Sequence, residues 1–122
     1  MFQELPKSES RCYSFNVSDA RKNENIIFHT SIFSGSLTMK FYPWSLDENK
    51  AVIFDPNLYN EIKITPEMRN NANQSTGPIF VCLNAKRDSS YSFDIVFEDD
   101  IEDSQRYSYI TSGKLNKKLI RL

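Results

Sequence analysis

The acidic side chains between residues 98 and 103 are the densest group of potential metal ligands in the chain. Carboxylate oxygens are hard ligands that suit calcium, so Asp99, Asp100 and Asp103 are the candidates for holding that ion. The stretch lacks the spacing and the glycine of an EF-hand loop. Its composition favours the alternative, a solvated turn at the end of a strand, and calcium is the one cofactor that the residues suggest.

Cys12 and Cys82 are the two cysteines of the chain. They are too far apart in sequence to form a CxxC redox pair or a metal motif. One disulfide between them would close a long loop and stabilise the fold by a few kcal/mol. Two reduced thiols packed as small hydrophobic groups are the equally weighted alternative.

Several tyrosines and the single tryptophan lie near the ends of predicted strands. Exposed rings of this kind form platforms for carbohydrate or peptide, and buried ones close the end of a core. The pattern favours the buried alternative. The residues concerned are Tyr42, Trp44, Tyr59, Tyr107 and Tyr109.

Two asparagines, Asn16 and Asn73, stand in the glycosylation sequon Asn-x-Ser. Such sites are used only in a secreted chain. Asn73 lies in a predicted loop, where a glycan fits most easily.

No set of residues predicts catalysis. His29 is the single histidine and lies in an apolar run, which favours a core or interface position over a general base. No nucleophile elbow, P-loop or dinucleotide-binding glycine pattern is present. We therefore expect a protein that is not an enzyme.

The composition narrows the class of protein further. The chain has 122 residues, 15 basic and 16 acidic, and 13% aromatic residues. This is one domain with enough apolar side chains for a core. A near-neutral charge gives no field that attracts a polyanion, so nucleic acid is not expected as a partner. No stretch is long and apolar enough to span a bilayer.

The elements that position these residues are predicted from short runs in which apolar and polar residues alternate, the pattern of β-strands. The clearest is 91–98, where Tyr91, Phe93, Ile95 and Phe97 share one face. Frequent turn signals separate the runs, and no helical stripe appears. We predict an all-β, antiparallel, jelly-roll-like β-sandwich of about eight short strands. The predicted strands are 13–17, 26–33, 37–42, 51–54, 61–65, 79–83, 91–98, 107–111 and 115–122.

Part of this pattern resembles the bacterial pre-peptidase C-terminal (PPC) domains. Residues 5–17 are similar to their opening strand, a polar lead into "YxFxV", and residues 26–41 to their next hairpin. Residues 77–83 and 89–95 are similar to their final pair of strands. The resemblance implies a non-catalytic jelly-roll module of secreted or surface proteins, some of which bind calcium or a polymer. The acidic "DxDLY" segment of that family is replaced here by residues 36–41, so its calcium ligands do not carry over.

Three functions follow as expectations. The first is an accessory binding or structural module of a larger extracellular or surface protein, with a protein or polysaccharide partner or neighbouring domains of the same chain. The second is an intracellular scaffold or cytoskeletal assembly domain. The third is a carbohydrate- or calcium-binding accessory domain.

The cellular compartment that we predict depends on whether Met1 is the natural start of the protein. The sequence predicts a single domain over 1–122, and it indicates a cytoplasmic protein if Met1 is the natural start. An excised module would instead be extracellular or at the cell surface. Residues 110–122 can be laid over residues 4–16, which predicts either the start of a following repeat or, preferably, a last strand of this domain.

Overall fold

A computed structural model describes residues 2–101 of the chain. Nearly all of its regular structure is β-strand. One short α-helix, α1, covers Pro66–Arg69, and 3-10 turns cover Asp19–Arg21, Glu48–Lys50 and Glu98–Asp100. The strands are β1 Phe2–Leu5, β2 Ser10–Val17, β3 Ile26–Ser34, β4 Leu37–Pro43, β5 Val52–Phe54, β6 Glu61–Ile64, β7 Gly77–Ala85 and β8 Ser89–Phe97.

The eight strands form two antiparallel four-stranded sheets. The first sheet has the order β1-β8-β3-β6 and the second the order β2-β7-β4-β5. Most strands therefore pair with strands distant in sequence, and within residues 2–101 β4 and β5 are the one consecutive pair that lies side by side. This is the jelly-roll form of the β-sandwich, and it confirms the predicted fold class.

The core lies between the two sheets and is built by the predicted alternation. The aromatic faces of β2 and β8 meet there: Tyr13 contacts Phe93 with ring centroids 4.9 Å apart, and Phe15 contacts Phe97 at 5.1 Å. Tyr91 is fully buried beside them. Because neighbouring side chains of a strand point to opposite faces, the other faces of these strands are left for polar residues.

One of the two inner strands of the first sheet, β3, is buried on both faces over most of its length. Residues 26–31 are all buried, as the apolar run predicts. The far end of the strand is different, because Phe33 is 59% exposed and stacks on Phe2 at the sheet's edge. A register irregularity between Ile32 and Ser34 in the pairing with β8 accompanies this change.

The expected hairpin over residues 26–41 is wrong. The chain turns at Gly35, where φ is +90°, and crosses from the first sheet to the second, so β3 and β4 face each other across the core instead of pairing. Likewise, β7 and β8 belong to different sheets and do not pair with each other. Alternation reports which residues face inward, but it carries no information about which sheet a strand joins.

Strand β1 was not predicted. It covers four residues and pairs with the first half of β8. Its sequence, Phe-Gln-Glu-Leu, is short and shows no apolar and polar alternation, so the sequence carries no strand signal there. The predicted strands 107–111 and 115–122, and the predicted repeat over 110–122, lie outside the described residues.

The helix α1 carries the one buried arginine of the described residues. Arg69 is 1% exposed and donates to the carbonyl oxygens of Ile64, Lys22 and Glu24. These bonds join α1 to the segment that leads into β3. Within residues 2–101, no helix is long and apolar enough to cross a membrane.

Candidate functional site

The outward face of the second sheet carries a groove of about 490 Å³. We call it the outer groove. Neighbouring strands place its side chains in rows, because residues at one register level point the same way. One row holds Cys12, Cys82 and Lys40, and a second holds Ser10, Asn84 and Thr38. The lining is Ser10, Cys12, Thr38, Lys40, Tyr42, Glu48, Cys82 and Asn84.

The two cysteines form the floor of the outer groove. Cys12 and Cys82 are directly opposite on β2 and β7, with their Cα atoms 4.0 Å apart and their sulfurs joined in a disulfide. This separation is nearer to that of a non-hydrogen-bonded antiparallel pair than to that of a hydrogen-bonded one. The sequence offered the disulfide as one of two alternatives, and only the strand register shows that the two side chains face each other.

A charged cluster closes one side of the outer groove. Glu48 accepts hydrogen bonds from the Tyr42 hydroxyl at 2.5 Å and from Lys40 Nζ at 3.1 Å. These bonds hold the pKa of Glu48 below its usual value. In return, the hydrogen bond to Glu48 raises the pKa of Tyr42 to about 12. At neutral pH the cluster therefore holds a carboxylate, an ammonium and a neutral phenol.

The other wall of the outer groove is hydroxyl and amide. Asn84 Nδ2 donates to Ser10 Oγ at 2.8 Å, and Thr38 Oγ1 donates to the backbone carbonyl of Asn84 at 3.4 Å. The hydroxyl groups of Ser10 and Thr38 can each donate and accept hydrogen bonds, and so can the amide of Asn84. The Lys40–Glu48 pair adds a cation and an anion. The groove therefore presents donors and acceptors side by side on a rigid sheet.

The structure does not assemble the predicted aromatic platform. Tyr42 and Trp44 are buried, with 4% and 8% of their surface exposed, whereas Tyr59 is 63% exposed. Tyr107 and Tyr109 lie outside the described residues. Trp44 belongs to the hydrophobic core, so the alternative of rings that close the core holds for it.

Trp44 is buried because the backbone turns sharply after β4. Its φ is +70°, and Ser45 N donates to Pro43 O at 2.8 Å across it, which is a γ-turn. Positive φ is rare for a bulky residue. Its indole Nε1 finds no hydrogen-bond partner among the groups that the structure describes. Neither feature can be seen in the sequence.

The acidic stretch forms the predicted turn at a strand end. Residues 98–100 form a 3-10 turn directly after β8. Asp100 receives two hydrogen bonds from the guanidinium of Arg21, at 2.7 and 2.8 Å, which hold the pKa of Asp100 below its usual value. Asp99 is exposed, and Asp103 lies outside the described residues.

This pairing bears on the predicted calcium site. Since Arg21 already donates to both oxygens of Asp100, a metal cation there would meet the positive charge of the guanidinium. No group of three or more potential ligands that could hold a metal ion occurs in residues 2–101. Calcium at the complete acidic stretch stays a prediction.

Both sequon asparagines are on the surface. Asn16 lies on the outward face of β2, opposite Pro78, and Asn73 lies in the loop after α1. Both side chains are exposed, so either position has room for a glycan. Asn73 N is held by Asn71 Oδ1 at 2.8 Å, which fixes this loop locally.

A second polar row, on the first sheet, was not predicted. His29 on β3 is directly opposite Asp94 on β8 and directly opposite Glu61 on β6. The three side chains therefore share the outward face. His29 is buried, as a core or interface position predicts. No signal in the sequence predicts this row, since the three residues come from strands far apart in the chain.

Comparisons with known proteins are sparse. No model of a known protein family matches the chain, and no curated protein matches it. Among solved structures, the chain is similar to the Yersinia pseudotuberculosis-derived mitogen, with a TM-score of 0.51 and 15% sequence identity. The match covers 86% of this chain and 89% of the mitogen. At this identity the likeness supports the β fold and nothing finer. The resemblance to PPC domains stays a prediction.

Proposed function

We propose that the chain is a non-catalytic binding module of an extracellular or cell-surface protein, and that it binds a polar, saccharide-like ligand in the outer groove. The observation that carries the proposal is the groove itself, an open surface of alternating donors and acceptors on a disulfide floor. Each sugar hydroxyl both donates and accepts, so such a surface suits a saccharide chain.

Three features support the extracellular assignment. The disulfide between Cys12 and Cys82 is of a kind that persists in oxidising compartments. Asn16 and Asn73 are exposed sequons. The structural neighbour is named a mitogen, and we carry over from it only that this fold serves a protein with an effect on other cells.

The absence of catalysis is part of the same proposal. The polar groups of the outer groove form hydrogen bonds with one another. Glu48, for example, accepts hydrogen bonds from both Lys40 and Tyr42. The histidine, His29, lies on the other sheet and cannot serve a hydroxyl in the groove. A groove that positions a ligand without a nucleophile and base is a binding site.

Binding is tested by affinity electrophoresis of the protein in gels that contain neutral or acidic polysaccharides. Asn84→Ala removes an exposed amide from the groove wall, and we expect it to weaken binding roughly fivefold, as for the loss of one hydrogen bond. Ser92→Ala, on the first sheet, is the matched control and leaves binding unchanged. If no polysaccharide retards the protein, or if both variants behave alike, the proposed site is wrong.

The compartment is tested separately, on protein isolated from the cells that make it. Recovery outside the cell, with a glycan at Asn16 or Asn73, would support the extracellular assignment. Recovery inside the cell with two thiols that alkylate without reduction would support the intracellular scaffold instead.

A second candidate function, assembly with another copy of the chain, is favoured by one observation. The edge strand β5 and the turn after it expose large apolar side chains: Ile53 is 69% exposed, Leu58 60% and Tyr59 63%. Exposed apolar groups beside an edge strand favour association. Sedimentation of the protein at increasing concentration should show a dimer that Ile53→Lys abolishes. A monomer throughout would exclude this candidate.

A further inference from the structure

The disulfide on the floor of the outer groove is open to small molecules. Cys12 is exposed and Cys82 is half-buried, and both line the groove. The rate of thiol–disulfide exchange depends on which sulfur a thiolate can reach. Access from the groove therefore favours attack at the sulfur of Cys12.

The strands that carry the disulfide are paired along their whole length and not only at the cysteines. β2 and β7 match over eight residue pairs, from Ser10 opposite Asn84 to Val17 opposite Gly77. The cysteines occupy one of these pairs, with two pairs on one side and five on the other. On the inward face, Tyr13 and Phe15 hold β2 against β8. Opening the disulfide breaks only the bond between the two sulfurs and none of these contacts directly.

A cation stands beside the less exposed cysteine. Lys40 on β4 is directly opposite Cys82 on β7, on the same outward face. A neighbouring ammonium stabilises a thiolate and lowers the barrier for that sulfur to leave. Glu48, bonded to Lys40 Nζ at 3.1 Å, offsets part of this charge. The two sulfurs therefore differ. Sγ of Cys12 is the more accessible to an attacking thiolate, and Sγ of Cys82 is the better leaving group.

We propose that Cys12 is a site of reversible covalent modification by low-molecular-weight thiols. The thiolate of the small molecule attacks Sγ of Cys12, the bond between the two cysteine sulfurs breaks, and its electron pair leaves on Cys82 as a thiolate beside Lys40. The product is a mixed disulfide at Cys12. The Cys82 thiolate reverses the step by attacking the mixed disulfide and expelling the small thiol. The exchange conserves the number of disulfides and needs no oxidant.

The test uses the folded protein and glutathione, without denaturant and without oxygen. Samples are quenched with acid, weighed intact, and then digested to locate the adduct. We expect a gain of one glutathione, with the adduct on Cys12 and a free thiol at Cys82, and a circular dichroism spectrum that is unchanged. An adduct mainly on Cys82, or no adduct until the protein is unfolded, would overturn the proposal.

Variants test the part played by charge. Lys40→Gln should slow adduct formation by about threefold, because the leaving sulfur loses its cation. Glu48→Gln should accelerate it. Lys63→Gln is the matched control, since Lys63 lies on the other sheet and pairs with Glu98 at 3.0 Å. Equal rates for the Lys40 and Lys63 variants would contradict the role of Lys40.

This site is independent of the saccharide that the groove is proposed to bind. Adduct formation is measured with no polysaccharide present, and the Asn84→Ala test uses the oxidised protein with no thiol. Failure of either experiment therefore leaves the other result standing.

Discussion

Single hydroxyl and charged groups decide how the protein responds to pH. Tyr13 Oη lies 2.8 Å from the hydroxyl of Tyr91, and the Tyr91 hydroxyl is 3.5 Å from Arg11 Nη1. Burial, followed by the hydrogen bond with Tyr91, raises the pKa of Tyr13 to about 12. The neutral phenol is the form that the fold requires.

This shift predicts a loss of stability in alkali. The unfolded chain releases the phenol proton near pH 10, and the folded chain near pH 12. The contribution of Tyr13 is therefore complete below pH 10 and is lost as the pH rises towards 12. Tyr42, whose pKa the hydrogen bond to Glu48 raises to about 12, adds to the loss. The single variant Tyr13→Phe should flatten the dependence of the urea unfolding midpoint on pH between 10 and 12. The double variant Tyr13→Phe, Tyr42→Phe should flatten it further. A pH dependence equal to that of the unmodified protein would contradict this.

At the scale of residues, the sequence predicts which types of residue lie near strand ends, but it does not predict which of them lie close together in the fold. Tyr42 and Trp44 were correctly marked as aromatics at strand ends, but their burial depends on Glu48 and on a γ-turn at Trp44. The rows that join Cys82 to Lys40, or His29 to Glu61, exist only once the strand register is known.

At the scale of elements, the sequence predicts strands β2 to β8 within a few residues, but it predicts neither β1 nor which strands pair. The inward face of β8 follows directly from alternation in the sequence. The crossing between sheets at Gly35 does not, because the same turn residues would serve a hairpin. In the structure a Cβ added at Gly35 would lie 2.4 Å from the carbonyl oxygen of Asp88, which shows how closely the chain passes there.

Arg69 provides the test at this scale. Its guanidinium satisfies carbonyl groups of Lys22, Glu24 and Ile64, and burial lowers its pKa without a directly bonded carboxylate. Arg69→Met leaves those carbonyls without their donor, and we expect a loss of about 3 kcal/mol in the free energy of unfolding.

The control for that variant is Arg87→Met. Arg87 is exposed and donates one bond, at 3.3 Å, to Gly35 O, so its loss should change stability by less than about 0.5 kcal/mol. Urea unfolding measures both variants. Similar values for the two would show that Arg69 does not hold α1 against the segment before β3.

At the scale of the whole molecule, the two sheets depend on a shared core. Phe41 of β4 is fully buried and meets Phe28 of β3 across the sheets, with ring centroids 5.7 Å apart. Phe41→Ala should therefore cost about 4 kcal/mol in the free energy of unfolding. Phe33→Ala, at a position that is 59% exposed, should cost less than about 1 kcal/mol. Thermal or urea unfolding distinguishes them, and equal losses would contradict the packing described.

The disulfide adds to this core by restricting the unfolded chain. Its cysteines are 70 residues apart, and closing a loop of that length stabilises the fold by about 4 kcal/mol in the chain-entropy account. The Cys12→Ala, Cys82→Ala double variant should lose up to that amount and keep its β-sheet spectrum. A variant without β-structure would show that the sheets cannot pair without the bond.

The central claim is that β2 and β7 lie side by side with Cys12 bonded to Cys82 on their outward face. The most direct measurement is peptide mapping by mass spectrometry of the unreduced protein, alkylated before digestion. We predict that the peptides containing Cys12 and Cys82 are recovered as one linked species, and that each appears alone only after reduction. Recovery of both as separate alkylated peptides without reduction would contradict the claim.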